Sequence, residues 1–378
     1  MKILLDASHQ RAGGGLQVSH GVLSALTDDA FSEHDWHVLA PEGSTLHAAA
    51  AGIGIPSDAY PTSTVGRRAR GRSVVQGVVD TFDPDVAYTV FGPPVPVRAG
   101  IPTAAGMAYS NLLYPEVDFW AHLPRRTRWK HEVRDHFRQQ AVRQASGLVL
   151  ETEALRRRAI ERWGYAEEAT TVIRPAVGPN LLDPEEDVRV RDQLNLLPAG
   201  ATYVLLASGY HPNKNIDQIP AIALEAPGLH FVLTVEPGSP GGRELHEVSQ
   251  RLGVSDRVHL IGNVPQVSIG MLYQHADVLL LMSELESFSN NVTEAIATRT
   301  PLVLSDRDWA RSAAGKAAVY VPPREPSTIA AGLRAALDPV DLERRLDIGS
   351  TILAEHHGTH VGRLQHVVRF LETLRNRS

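Results

Sequence analysis

The stretch "SELESFSNNVTEA" (residues 283–295) places Glu286 and Glu294 eight positions apart, with Ser287, Phe288, Ser289, Asn290 and Asn291 between them. It follows the apolar run "DVLLLMS" (277–283) and precedes "PLVLSD" (301–306). A carboxylate just past a strand end belongs to a loop. Ser287, Ser289 and Asn290 suit the start of a helix, which puts Glu294 on its first or second turn. The open end of a helix presents unpaired N–H groups and partial positive charge, a natural seat for phosphate. A carboxylate one turn on can accept hydrogen bonds from ribose hydroxyls, and one in the loop can hold a sugar. The constellation fits a sugar nucleotide. The same spacing fits a capping loop with two solvated glutamates equally well.

A cation could decide between them. In "ASGYHPNKNIDQI" (207–219), Lys214 follows another strand-like run and precedes a helical segment. Its ammonium could neutralise a diphosphate, although a lysine at such a place is more often a plain surface residue. "HQRAGGGLQVS" (9–19) follows the first strand-like run, and its glycines, Gly14 and Gly15 among them, allow close backbone approach to a ligand or a simple flexible turn. It is not GxGxxG, and no acidic residue completes a dinucleotide fingerprint, which disfavours an oxidoreductase. "DPD" (83–85) directly precedes "VAYTVFG" and reads as a strand cap, while His131 and His136 are five apart, a poor ligand pair on a helix. No metal is expected.

These residues need elements to position them. Strand-like runs in the first half are "KILLDAS" (2–8), "WHVLAP" (36–41), "DVAYTVFG" (85–92), "PTAAGMAY" (102–109), "SGLVLET" (146–152) and "TTVIRPAV" (170–177). The second half has "TYVLLASG" (202–209), "HFVLTV" (230–235), "RVHLIGNV" (257–264), "DVLLLMS" (277–283), "PLVLSD" (301–306) and "AVYVPP" (318–323). Helical patterns fill most gaps, as in α/β folds with parallel sheets covered on both faces. The pattern restarts near residue 200. The expected division is a first domain over 1–180, a Pro-, Gly- and charge-rich linker over 181–200 with a short helix near 186–195, and a second domain over 201–358. The final helix, 359–376, carries Val361, Leu364, Val367, Phe370 and Leu371 on its own apolar pattern and could pack on either domain, including back on the first. Two doubly wound domains would face each other across a cleft, with ligands beyond the C-terminal ends of the strands.

Composition sets the outer bounds. The chain has 378 residues, 43% of them hydrophobic and 21% charged, a net charge of -6 and no cysteine. That is an ordinary globular composition without disulfides or thiolate metal sites, and the negative balance argues against general nucleic-acid binding. "MKILLDAS" is too short for a signal peptide core, and no run approaches a membrane span, so a cytoplasmic protein is expected.

"ELESFSNNVTEAIATRTPLVLSD" (284–306) resembles the signature of family-4 glycosyltransferases, whose members carry Glu, seven residues, Glu, a run of small residues and a "TPVV"-like strand. "IGNVPQVSIGMLYQHADVLLLMS" (261–283), "SGYHPNKN" (208–215) and "TVIRPAV" (171–177) resemble neighbouring parts of that family, and the likeness covers most of residues 200–325. The resemblance implies the GT-B fold, two Rossmann-like doubly wound domains, and a retaining transfer of a sugar from a nucleotide-diphosphate sugar to a hydroxyl of a glycan, lipid-linked or small-molecule acceptor. It implies no cofactor and no metal. Glu294 would bind the donor's ribose and Glu286 its sugar, near the site of transfer. Backbone N–H groups of Phe288, Ser289 and Asn290 would hold sugar hydroxyls and phosphate. Lys214 would stabilise the leaving diphosphate, and Val264, after Gly262, would lie near the nucleobase. Gly14 and Gly15 would face the diphosphate from the first domain. Tyr109 and Asn111, with His9, would stand on the acceptor side. The chain departs from the pattern in three places, one being that no catalytic-site His or Asp stands beside Asn111, where many relatives carry one. Gly209 and Tyr210 stand where many members carry an arginine, leaving Lys214 to act alone or with His211 or Asn215. Ser287 and Ser289 stand where glycines are usual. A GT-B sugar-nucleotide epimerase and a non-catalytic nucleotide-sugar-binding protein are the competing readings.

"PRRTRWKHEVRDHFRQQAVR" (124–143) has seven basic and two acidic residues, and "GRRARGR" (66–72) adds four arginines. Trp129, Val133, Phe137 and Ala141 recur at four-residue intervals. A basic helix with a Trp can lie on anionic lipid. The favoured expectation is a surface helix whose apolar stripe packs on the core.

Overall fold

Strands buried on both faces require helices above and below them, and the alternating pattern supplies both. The computed structural model describes residues 1–11, 13–356 and 358–377, without the side chains of Thr64, Arg67 and Arg68. The chain divides into two compact units, Met1–Ala176 with His357–Ser378, and Val177–His356.

In the first unit seven parallel strands are β1 (Lys2–Asp6), β2 (Asp35–Pro41), β3 (Ser57–Tyr60), β4 (Val86–Thr89), β5 (Thr103–Gly106), β6 (Gly147–Leu150) and β7 (Thr170–Val172). They lie in the order β3-β2-β1-β4-β5-β6-β7. The edge strand β3 has no apolar run to announce it, because "SDAY" is solvated and pairs only with β2. Successive side chains leave a strand on opposite faces. Ile3 and Leu5 therefore join one core with Val22 and Leu371, while Leu4 joins another with Val75, Val79 and Ala87. Each buried Val, Leu or Ile among them contributes about 1.5–3 kcal/mol. The final helix, His360–Arg375, belongs to this unit and buries Leu364, Val367, Phe370 and Leu371. Gly21 lets the helix Gly13–Ala25 come against it, since a Cβ there would stand 2.1 Å from the His360 ring.

In the second unit six parallel strands are β8 (Thr202–Leu206), β9 (Leu229–Leu233), β10 (Val258–Leu260), β11 (Val278–Leu281), β12 (Leu302–Ser305) and β13 (Ala318–Val321), in the order β10-β9-β8-β11-β12-β13. In each sheet the winding reverses direction once, between β1 and β4 and between β8 and β11. Open α/β sheets bind ligands at such reversals, beyond the carboxyl ends of the two strands.

Two expectations need correction. Residues 181–200 are built into the second unit rather than forming a free linker. Leu181, Val190 and Leu194 are buried, the Glu185 N–H donates to Val267 O at 3.0 Å, and Arg189 donates to Ile261 O at 2.7 Å. Charge in this segment is used to hold loops, so it was no mark of a solvated connector. The helix Arg125–Val142 does not pack its apolar stripe on the core either. Its buried residues are Asp135 and Val142, while Trp129 and Phe137 are exposed. A polar network fixes the inner face: Asp135 accepts from Asn111 Nδ2 at 2.7 Å and Trp120 Nε1 at 2.8 Å, and pairs with Arg138 at 2.5 Å.

Candidate functional site

The loop after β8 and the loop after β11 meet at the reversal point of the second sheet. Asn213 stitches them together. Its carbonyl accepts from the Glu284 N–H at 2.9 Å, its Oδ1 from the Leu285 N–H at 3.1 Å, and its Nδ2 donates to Leu285 O at 2.8 Å. Asn215 adopts a left-handed conformation (φ 51°), which asparagine tolerates better than most residues. Its fully buried amide donates to Met282 O at 2.9 Å and Glu284 Oε1 at 3.0 Å. Asn215 therefore positions the loop, and its side chain is committed inward. With the backbone so fixed, Lys214 Nζ donates to Glu286 Oε1, across 72 positions of sequence. An ammonium has three donors, so this bond leaves two for another anion. Both side chains keep partial solvent access, 22% for Lys214 and 18% for Glu286.

Glu284, Asn213 and Arg307 are the residues that sequence reasoning missed. Glu284 accepts from Arg307 Nη2 at 2.6 Å and stands 3.5 Å from Arg324 Nε, which ties the ends of β11, β12 and β13 to the lysine loop. The available signal was a third carboxylate in the same short stretch. Its partners, 23 and 69 positions away, carried no signal at all.

The helix after this loop is Asn290–Ala297. Ser289 occupies its cap position but makes no side-chain capping bond, and its φ is 100°, so the capping role expected of the serines is not realised. A non-glycine residue at this angle is strained by about 1–3 kcal/mol. S289G is therefore expected to raise the thermal midpoint, a stabilisation of about 1 kcal/mol relative to serine, measured by thermal denaturation; an unchanged or lower midpoint would show that the serine relieves its own strain. Asn291 Nδ2 donates to Ala207 O at 2.8 Å and moors the helix start to the end of β8. Phe288 is buried beside it.

Glu294 lies on this helix with 7% exposure. Tyr273 Oη donates to its Oε2 at 2.8 Å and Gln266 Nε2 to its Oε1 at 3.2 Å. Burial raises its pKa above the usual carboxyl value, against the lowering effect of those two bonds. Burial and then the neighbouring Glu294 carboxylate push the Tyr273 phenol well up, so it stays a donor. Each carboxylate oxygen can accept a second hydrogen bond. Val264 is half-buried in a turn after Gly262, whose φ is 74°, and Arg189 from the 181–200 segment donates to Asn263 O within that turn. Tyr210, at the place where an arginine was looked for, donates to Glu244 Oε2 at 2.9 Å and lies over Gly241, where a Cβ would stand 2.3 Å from its ring. It supplies no charge to Lys214.

In the first unit the glycines form no loop. Gly14 and Gly15 lie in the first turn of the helix Gly13–Ala25. Gly15 is needed for packing, because a Cβ there would come within 2.3 Å of Gln10 Oε1, and Gln10 Nε2 in turn donates to Phe91 O at 2.7 Å. His9 stands at the carboxyl end of β1, 3.1 Å from Ser8 Oγ and 3.9 Å from the buried Asp6 carboxylate. Tyr109 packs under the Arg138 guanidinium, 3.9 Å from its ring centre. Asn111 is committed to Asp135 and lines a cavity of ≈ 410 Å³ with Glu116, Phe119, Trp120, Arg128 and His136. Tyr109 and Asn111 thus share the Asp135–Arg138 network, and His9 belongs to a separate one. Asp83 and Asp85 are structural: Asp83 closes the helix Arg72–Phe82, and Asp85 accepts from the Lys2 N–H at 2.7 Å.

Residues 194–350 match the family described as glycosyl transferases group 1. The chain is similar to D-inositol 3-phosphate glycosyltransferase of Thermobispora bispora, 30% identical over 233 residues, covering 58% of this chain and 54% of the relative. The same-named protein of Geodermatophilus obscurus is 30% identical over 219 residues, covering 53% of this chain and 47% of the relative. The matched stretch thus spans about half the length of these curated relatives. Among solved structures, sucrose-phosphate synthase of Thermosynechococcus elongatus superposes over 100% of both chains with a TM-score of 0.72 at 16% identity. Anabaena HepE, solved in complex with UDP-glucose, covers 99% of this chain and is itself covered in full, with a TM-score of 0.67 at 20% identity. Residues 194–350 thus match the group 1 glycosyl transferases, and the two parallel-sheet units have the GT-B fold.

Proposed function

We propose that the chain is a retaining glycosyltransferase that moves a sugar from a nucleotide-diphosphate sugar to a hydroxyl group. The observation that carries this reading is the Lys214–Glu286 contact at the reversal point of the second sheet, beside the start of the helix that carries the buried Glu294. Glu294 accepts the ribose hydroxyls on its remaining lone pairs. The N–H groups of Phe288, Ser289 and Asn290 hold phosphate and sugar hydroxyls. Lys214 turns its two other donors to the diphosphate, and Glu286 holds the sugar whose anomeric carbon reacts. The bond from that carbon to the diphosphate oxygen breaks. The acceptor oxygen bonds to the same face, and its proton passes to the leaving phosphate oxygen. Lys214 and the helix start meet the growing negative charge, the electrostatic role that removes most of such barriers. No metal is needed for this arrangement, so a chelator should leave turnover unchanged. Tyr109, Asn111 and His9 serve the acceptor side, and the cavity beside Asn111 offers room for a polar acceptor.

The names of the relatives put UDP-glucose first among donors to try and D-inositol 3-phosphate first among acceptors. Incubation with UDP, GDP, dTDP and ADP sugars is expected to give nucleotide release that depends on the acceptor, with the anomeric configuration kept in the product. Isomerised donor without acceptor would establish an epimerase instead. Binding without any turnover across the panel would establish a binding protein.

A further inference from the structure

Among the described residues, the only exposed Phe, Trp or Tyr are Trp129 and Phe137, 64% and 68% respectively, and both sit on the helix Arg125–Val142. At about 100° per residue their directions differ by about 80°, with Val133 and Arg126 in the sector between them. Arg125, Lys130 and Arg134 flank that sector, and all three are exposed. The helix's acidic residues do not neutralise it. Asp135 is turned inward and paired with Arg138, and Glu132 is paired with Arg128 at 2.7 Å. Arg125, Arg126 and Lys130 have no carboxylate partner among the described residues. Arg134 bonds only to the His131 ring.

An outward face of two aromatic rings inside a rim of cations that lack carboxylate partners is poorly placed in water. It is complementary to a surface that is negatively charged outside and apolar a few ångströms deeper. We propose that this face docks in the plane of an anionic lipid bilayer, with Trp129 and Phe137 entering the headgroup–acyl boundary and Arg125, Arg126, Lys130 and Arg134 meeting lipid phosphates. The whole chain carries a net charge of -6, so attraction to such a surface has to be local, and this helix is where positive charge gathers. No helix among the described residues is long and apolar enough to cross a membrane, so the contact is peripheral. Arg67 and Arg68 of the second basic stretch, 66–72, have side chains outside the description and play no part here. The side chains that face the lipid are not among those assigned to the donor or the acceptor.

The test is co-sedimentation of the full chain with phosphatidylglycerol–phosphatidylcholine vesicles and with phosphatidylcholine vesicles, at low and high salt. Wild type is expected to pellet with the anionic vesicles at low salt only. Exposed positions tolerate change, so W129S/F137S and, separately, R126E/K130E should stay folded by circular dichroism. Each should lower the partition coefficient about tenfold or more, the first by removing the inserted apolar rings and the second by removing attraction to the lipid phosphates. No pelleting of wild type with anionic vesicles at low salt overturns the proposal. So does equal binding by both variants. Loss, in W129S/F137S, of a wild-type dimer seen by sedimentation velocity without lipid would assign the face to a second copy of the chain and overturn it too.

Discussion

Replacing Lys214 by alanine is expected to lower the turnover number about 10²–10³-fold, the effect of removing one donor aimed at charge that develops in the transition state. The contact map explains why the loss should fall on catalysis rather than folding. Asn213 and Asn215 hold the loop through Leu285, Met282 and Glu284, and none of those bonds involves the lysine side chain. Glu286, left without its cation, keeps partial solvent access and can be hydrated. The thermal midpoint should therefore move by only a few degrees. K214R keeps the charge but replaces a compact ammonium with a planar fork, and should recover part of the rate. E286A should also lose orders of magnitude in turnover while folding normally. Steady-state kinetics with the donor found in the nucleotide-sugar panel are the measurement. Turnover within threefold of wild type in both K214A and E286A would sink the assignment of this pair.

The second large effect is expected at Glu294, where stability and donor binding separate. E294A removes the acceptor for Tyr273 and Gln266 in a buried place. It should cost about 1–3 kcal/mol of stability for stranded donors and raise the donor's dissociation constant about 100-fold, the equivalent of one or two charge-assisted hydrogen bonds at about 1.5–3 kcal/mol each. E294Q is the sharper probe. Its carbonyl oxygen can still accept from Tyr273, and the Gln266 amide can turn to accept from the new amide, so the fold should hold. A neutral amide accepts from a ribose diol on one side only, so the donor constant should still rise about tenfold. The pH dependence follows from burial. The folded pKa of Glu294 lies above its usual value of 4.5. Between those two values the folded state binds more protons than the unfolded one, so stability falls as pH rises through that window and stays lower above it. E294Q removes the titration and should flatten that part of the stability curve, read from denaturant midpoints across pH. An unchanged slope would mean that another group carries it, and unchanged donor binding in both variants would remove Glu294 from the site.

The sequence by itself determined the fold class, because short runs buried on both faces leave few arrangements other than parallel sheets between helices. Twelve of the strands could be read from "KILLDAS" through "AVYVPP" for that reason, and β3 could not, because an edge strand buries too little to write an apolar pattern. It also placed Glu286 and Lys214 at the carboxyl ends of strands and Glu294 on the helix that follows, since the order of runs and gaps is a local property. What the tertiary structure decided is how these residues meet. The contact between Lys214 and Glu286 arises because β8 and β11 are neighbours where the winding reverses, and no pattern in either loop encodes that adjacency. The same holds for the supports: Asn213 and Glu284 differ from any other polar loop residues only by what stands opposite them. The basic helix carries the converse lesson. Its four-residue apolar spacing was read correctly as a stripe, but periodicity gives a face and not the direction in which it points. Asp135, buried and bonded to Asn111, Trp120 and Arg138, turns that helix so that its polar side is inside and Trp129 and Phe137 are outside. Spacing along a chain is fixed by covalent geometry. Which side of a helix is buried depends on the partners that distant parts of the chain bring to it.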